Sequence, residues 1–368
     1  LSDVLIEADP EVLTEAPAVT RRRGFTRGQL IGFVLFAAIV AIPIPLGTFP
    51  LFVGQYALVY AMLGLSIVIV TGYAGMISLM TYTFAGIGAV VSALAVSSWG
   101  WPFWLAAPLA VLATVPIAIL VGTASVRLKG LYLAIATLTF ADALGETFFK
   151  WKRATGGNAG WSMPKPRLGP INFKGDLAFY LLCLGTVLLL VWMVEGLRTS
   201  RLGRAMLAVR DNQLEAQALG INVFKTKLTA FVLSGMVAGL AGSFVALLLS
   251  GVTPVGFQTP LVEITSVALV ALVVIGGIDR ALGAFIGATA LVVQQQVFAG
   301  AKFFTPFFAA YAALGLILLL LFRPGGLIQV GKIQIEMIRK RPAIGIAVAV
   351  VSVGLNVGLA ALILHFSH

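Results

Sequence analysis

The chain has 368 residues, of which 60% are hydrophobic and only 11% charged, with a formal net charge of +11 and a mean hydropathy of +1.02. That balance excludes a soluble globular domain, because repeated apolar runs near 20 residues would leave too much hydrocarbon facing water. The composition reads as an all-α integral membrane protein, a polytopic helix bundle of about 10 or 11 spans, since a helix rising about 1.5 Å per residue crosses a core of about 30 Å in about 20 residues.

Residues 1–28 bring Asp3, Glu7, Asp9, Glu11 and Glu15, then Arg21, Arg22 and Arg23, with no apolar core leading to a cleavage site. They are expected to form a cytoplasmic tail rather than a signal peptide. Apolar runs follow at about 30–47, 51–71, 76–97, 101–125, 130–149, 177–195, 229–250, 261–278, 282–299, 303–322 and 343–364. The run at 130–149 carries Asp142 and Glu146 and reads either as a crossing or as a partial, re-entrant segment. With the amino terminus inside and all eleven runs crossing, 18 of the 25 Lys and Arg residues fall in inside segments. This is the distribution that orients membrane bundles.

The same topology places Lys150, Lys152, Arg153, Lys165, Arg167 and Lys174 together in one outside loop, against the usual charge bias. Such a cluster suits either an acidic protein partner or lipid phosphates. Trp161, Pro164 and Pro166 predict a structured loop.

Catalytic chemistry finds little footing. Cys183 is the lone cysteine, His365 and His368 are the only histidines, and no GxxxxGK[ST] phosphate loop occurs. No metal site, no nucleic-acid partner and no enzymatic activity are expected.

The stretch SRLGRAMLAVRDNQLEAQALGINVFKTK at 200–227 stands apart as polar and charged. Taken as one helix, it sets Leu202, Met206, Val209 and Ala216 on one stripe and Leu207, Leu214 and Ala218 on a second, with Arg204, Asp211 and Glu215 between them. Two stripes suit two neighbours, the chain's own bundle and another protein; a helix lying at the lipid interface is the alternative. Gly220 is placed to end the helix in a left-handed conformation.

These residues resemble the cytoplasmic coupling segment of ABC importer permeases, in which an E-A-A pattern followed by glycine docks on the ATPase. Glu215, Ala216 and Gly220 match, while Gln217 stands where the second alanine would be. Within that class the chain is similar to the branched-chain amino acid permease family, on the side of its LivM-like subunit, over about residues 50–330. RLKGLYLAIATLTFADA (127–143), TGGNAG (155–160), KLTAFVLSGMVAGLAG (227–242), VTPVGF (252–257), VVIGG (273–277), LGAFIGA (282–288) and FRPGGL (322–327) carry the likeness. Gly235, Ala238, Gly239 and Gly242 also supply the small residues that let membrane helices approach closely.

The resemblance implies a non-catalytic permease subunit in a bacterial inner membrane, occupying residues 29–330. A basic linker and an additional apolar segment at 343–364 lie beyond the family's pattern. The implied partners are a second, LivH-like permease subunit, two ATP-binding subunits that carry ATP and Mg, an extracytoplasmic solute-binding protein, and membrane lipid. ATPase coupling falls on Arg204, Asp211, Glu215, Ala216 and Gly220. Binding-protein docking falls on Lys150, Lys152, Arg153, Lys165 and Arg167. Met76, Ser78, Thr137, Thr139, Asp142 and Glu146 are the candidates for the translocation path, because ionisable and polar groups inside spans are costly and default to function. Glu146 is equally spaced to pair with Lys150. One departure matters: the family shows G-Q-[LIV]-S-L-G where this chain has Gly75, Met76, Ile77, Ser78, Leu79 and Met80. Branched-chain amino acids are the expected solutes, with urea, short amides or a carboxylate as alternatives. A secondary transporter working without ATP is the alternative of another class.

Overall fold

The structure, a computed structural model, describes residues 48–257 apart from 126, 129, 169, 170 and 174, then 261–277 and the single positions 281, 284, 285, 287 and 292. The expected tail at 1–28, the apolar runs at 30–47, 303–322 and 343–364, the basic linker and most of 282–299 lie outside the described residues.

Helix α1 (Thr48–Ile67) passes into a π-helical turn, Val68–Tyr73. It is followed by α2 (Thr81–Ser97), α3 (Phe103–Ser125) and α4 (Leu131–Thr147). A single turn at Lys152–Thr155 and short strands β1 (Trp161–Ser162), β2 (Arg167–Leu168) and β3 (Ile171–Asn172) lead to α5 (Asp176–Thr199). Then come α6 (Arg201–Asp211), α7 (Gln213–Ala218) and α8 (Val223–Leu248). Strand β4 (Gly251–Val252), a 3₁₀ turn at Pro254–Phe257 and α9 (Leu261–Gly276) complete the described order.

Among the described residues, four helical stretches are long and apolar enough to cross a bilayer: Leu51–Tyr73, Phe103–Ala124, Asp176–Thr199 and Val223–Leu248. The all-α polytopic class follows from them. Lipid offers the backbone no hydrogen bonds, so these runs must satisfy their own as helices. Within α3, Pro108 and Pro116 are accommodated in the same way membrane helices generally tolerate proline.

Helix α8 is the centre, packed by α1, α2 and α3. Its crossing with α2 is backbone on backbone. A Cβ built on Gly88 would stand 2.1 Å from the Gly239 carbonyl oxygen, and one on Gly242 would stand 1.8 Å from that of Ala85. On the other side, a Cβ on Gly239 would meet Thr114 Cγ2 of α3 at 2.6 Å. The small residues at 235–242 thus bring three helices within reach of dispersion contacts that larger side chains would prevent.

The ends of the bundle are fixed by long-range contacts. Gln55 Nε2 donates to the Asp176 carbonyl at 2.8 Å, and the Tyr73 hydroxyl donates to that of Val194 at 3.4 Å, so α1 and α5 run in parallel. Phe103 lies edge-on to Phe244 and Gly122 packs on Phe231, so α3 runs against α8. One end therefore gathers the π-helical turn, the close of α5, and α6. The opposite end gathers the 150–175 loop, which pairs antiparallel with the chain beyond α8 through Trp161↔Val252 and Ser162↔Gly251.

Helix α4 starts at the end where α3 stops, and Phe149 just beyond it stacks 5.7 Å from Phe257 at the far end. The segment at 130–149 thus runs end to end rather than turning back. Its 17 helical residues rise about 25 Å. Exposed Trp99, Trp101 and Trp151 mark the loop end and Trp192 the last turns of α5, positions suited to the bilayer interfaces.

Candidate functional site

The polar stretch at 200–218 folds as two helices, not the single one expected. Asn212 breaks it, with φ −150° and ψ 113°. Its side-chain oxygen accepts from the backbone N–H groups of Leu214 and Glu215, and its amide donates to Glu215 Oε1 at 2.6 Å. Asn212 is thus a side-chain N-cap that satisfies orphan donors at the start of α7, and Glu215 braces it through the side-chain amide, while the Asn212 backbone N–H closes α6 on the Ala208 carbonyl. The signal lay in Asn212 followed three residues later by Glu215, but the apolar stripes run on through it and concealed the break.

The other ends are equally well defined. Ser200 Oγ accepts from the Gly203 N–H at 3.1 Å to start α6, and Asn222 Oδ1 accepts from the Lys225 N–H at 2.9 Å to start α8. Gly220, at φ +77°, closes α7: the Ile221 N–H reaches the Ala216 carbonyl and the Gly220 N–H that of Gln217, both at 2.9 Å. That pair of bonds is a Schellman termination.

Burial sorts the two stripes. Met206, Val209 and Ala216 are buried, and Gly203 packs so tightly that an added Cβ would stand 2.0 Å from the Leu197 carbonyl oxygen. Leu214 and Leu219 are 77% and 78% exposed, and Arg204, Asp211, Glu215 and Ala218 are exposed with them. Leu207 is half-buried between the two sets.

Arg210, which the stripes leave unremarked, turns inward. Its guanidinium donates to the Gly72 carbonyl in the π-helical turn. Its stem lies against Gly75, where an added Cβ would stand 2.9 Å from Arg210 Cγ; Gly75 also has φ +67°. No sequence signal marks this contact, because a backbone carbonyl 138 positions away has no residue type of its own.

Gly75 opens a non-helical segment to Met80. Each turn of it is held by a polar contact: the Gly75 N–H to Thr71 O, the Met76 N–H to Val70 O, Thr71 Oγ1 to Met76 O, and the Leu79 N–H to Thr137 Oγ1 at 3.1 Å. Non-helical backbone survives in a membrane protein where the protein itself supplies such partners. Of the path candidates, Met76, Ser78 and Thr137 are therefore brought together, all three buried. Thr139 is exposed and donates to the Ile135 carbonyl. Asp142 is half-buried further along α4, and Glu146 is exposed and ion-paired with Lys150.

At the opposite end, Lys152 and Arg153 are exposed, while Lys165 is bound to Asp176 at 3.2 Å and stands over the Phe179 ring. Arg167 is described by its backbone alone, in register with Asn172. The loop is ordered: Trp161 Nε1 donates to the Ala154 carbonyl at 2.9 Å, Met163 is fully buried, and Gly160 sits where a Cβ would stand 2.0 Å from Val252 O. A cavity of about 360 Å³ opens there among Tyr82, Trp161, Ser162, Ser250, Thr253 and Phe257. Among the described residues no cluster of His, Cys, Asp and Glu is arranged to hold a metal.

Comparison with known proteins matches the chain to a family model. The profile described as branched-chain amino acid transport system / permease component matches residues 50–323. The chain is 28% identical to the high-affinity branched-chain amino acid transport system permease protein LivM of Salmonella typhimurium, over 84% of this chain and 77% of that protein. It is 29% identical to LivM of Escherichia coli, over 77% of this chain and 71% of that one. A shorter likeness, 36% over 29% of this chain and 33% of the relative, is to the ribose import permease protein RbsC of Escherichia coli. No solved structure matches. With the profile covering most of the chain, and relatives named as permeases aligned over 84% and 77% of it, the chain belongs to the permease-component family of branched-chain amino acid transport systems.

Proposed function

We propose that the chain is the LivM-type permease subunit of an ABC importer, moving a branched-chain amino acid or a related small solute inward by alternating access that partner ATPases drive. The observation that carries this reading is α7: a six-residue helix, capped at both ends, that holds Leu214 and Leu219 out of the bundle. Exposed leucines on a rigid mount are what a partner's groove takes up as anchors. A nucleotide can shift a permease between two states only through contacts that differ between them, and a docking helix supplies such contacts.

In this reading α6 and α7 face the cytoplasm of a bacterial inner membrane, a LivH-like subunit completes the pathway, two ATPases bind ATP and Mg, and a solute-binding protein docks on the 150–175 loop. Lys152 and Arg153, exposed and in no ion pair among the described residues, are the cations there best placed to steer an acidic partner. Chemistry in this chain is confined to binding and gating.

Met76 favours keeping a second solute class in view. The family's glutamine at this place would offer an amide to a passing solute, whereas a thioether offers a soft apolar surface. Urea, short amides or a carboxylate remain the alternative cargo.

Reconstitution tests the reading. Proteoliposomes holding this chain with the second permease and both ATPases are expected to take up solute only when the binding protein and ATP are both supplied. Uptake by this chain alone under a proton or sodium gradient would overturn the importer and point to Asp142 and Glu146 as ion sites.

A further inference from the structure

Two contacts meet on the non-helical segment between α1 and α2. Arg210 reaches it from α6 at Gly72 and Gly75, and Thr137 reaches it from α4 at Leu79. We infer that Arg210 is a positioning residue that converts displacement of the coupling helices into movement of Gly75–Met80 against α4, so the segment acts as the gate-side arm of the coupling device. The inference rests on the importer reading above and adds to it the residue that carries motion inward.

Helix α6 is well suited to move as a body. Its start is held by Ser200, its buried face consists of Gly203, Met206 and Val209, and its last turn ends at the Asn212 break. A push on Leu214 or Leu219 is therefore passed to α6 across a two-sided cap rather than absorbed in a loose loop.

The receiving element is equally suited to yield. A π-helical turn is a rare departure from the α ladder, and such turns recur at functional sites. Here it is followed, after Ala74, by a glycine at φ +67° and five residues of irregular backbone. Ile77 lies 44% exposed at the middle of that segment, while Met76 and Ser78 on either side are buried. A small rotation of the segment would exchange which of these side chains faces outward. Guanidinium is the group to link the two parts, since its rigid fork of donors keeps a fixed direction that an ammonium would not. The missing side chain at Gly75 lets the Arg210 stem lie directly against the segment, where a Cβ would stand 2.9 Å from its Cγ.

The test uses the complete transporter in proteoliposomes. Spin probes are placed at exposed Ile77 and Gln217, with buried Cys183 left in place. In the wild type, nucleotide binding is expected to change the environment of both probes; a response at Gln217 without one at Ile77 overturns the inference, whatever any variant does. In Arg210→Met, the Gln217 response is expected to persist, the Ile77 response to vanish, and solute moved per ATP to fall about tenfold, within the range of ordinary coupling energies. An Ile77 response that survives in Arg210→Met, or an unchanged solute-to-ATP ratio, overturns it too. Arg210→Lys, which keeps the charge and loses the fork, is expected to fall between. If Arg210→Met does not assemble, the wild-type probe pair still decides. A wild-type complex that transports without ATP would instead remove the importer reading itself, an outcome the probes do not mimic.

Discussion

Gly88 and Gly239 face each other so closely that a Cβ on the first would lie 2.1 Å from the carbonyl oxygen of the second. This contact and the one between Gly242 and Ala85 set the distance between α2 and α8. Gly88→Ala and Gly242→Ala are each expected to destabilise the purified subunit by about 1–3 kcal/mol, the usual cost of overpacking. Gly185→Ala and Gly196→Ala, with nothing within 4 Å of an added Cβ, are expected to melt at or slightly above the wild-type temperature. Thermal unfolding in detergent compares the four. Equal effects in both pairs would remove the close crossing from the account of stability.

Leu214→Asp and Leu219→Asp change residues whose side chains contribute little to the bundle. Membrane insertion and melting temperature are expected to stay near wild type, while affinity for the ATPases falls about 30-fold or more, as loss of an anchor worth about 2 kcal/mol requires. Co-purification and titration with the ATPase subunits measure it. Wild-type affinity in both variants would assign α7 to the lipid interface instead.

Gly220 has open space around it, so any cost of substitution is a backbone cost. Gly220→Ala must hold φ near +77° with a side chain present, at about 1–2 kcal/mol. Hydrogen exchange at 214–219 is expected to speed up about tenfold, and Gly220→Asn, which tolerates that conformation better, is expected to recover part of the protection. Asn212→Ala removes the other cap, at about 1 kcal/mol, and is expected to act on the same amides.

Sidedness is accessible to labelling because Cys183 is buried and contributes little background. An impermeant thiol reagent applied from outside is expected to modify a cysteine at exposed Ala159 and to spare one at exposed Gln217 until the membrane is permeabilised. The reverse pattern would invert the bundle.

Much of this architecture is legible in the sequence, for reasons that differ between elements. The spans at 51–71, 101–125, 177–195 and 229–250 could be read because lipid forces long apolar runs into helices whatever their neighbours. The glycines of α8 could be read because close approach demands small residues. The tie between Arg210 and Gly72 could not, since its acceptor is backbone. The course of α4 is ambiguous in the sequence for a related reason: Asp142 and Glu146 lower the apolar signal, and the stacking of Phe149 on Phe257 shows which end of the bundle the helix reaches. Lys165 reads as one of the docking cations of its loop, and its ion pair with Asp176 is not legible because the two lie eleven positions apart on different elements.

Helix α7 begins at its own Asn212 cap, braced by Glu215, and ends in its own Schellman turn, and of its six residues only Ala216 is buried. Its shape is therefore written almost wholly within residues 212–221, with little debt to the bundle beneath. Such a segment is a cassette. On the importer reading, its outward residues are expected to drift to suit a different motor protein while the caps stay fixed, and exchange of the ten-residue block between related permeases is expected to re-address them without disturbing the membrane helices.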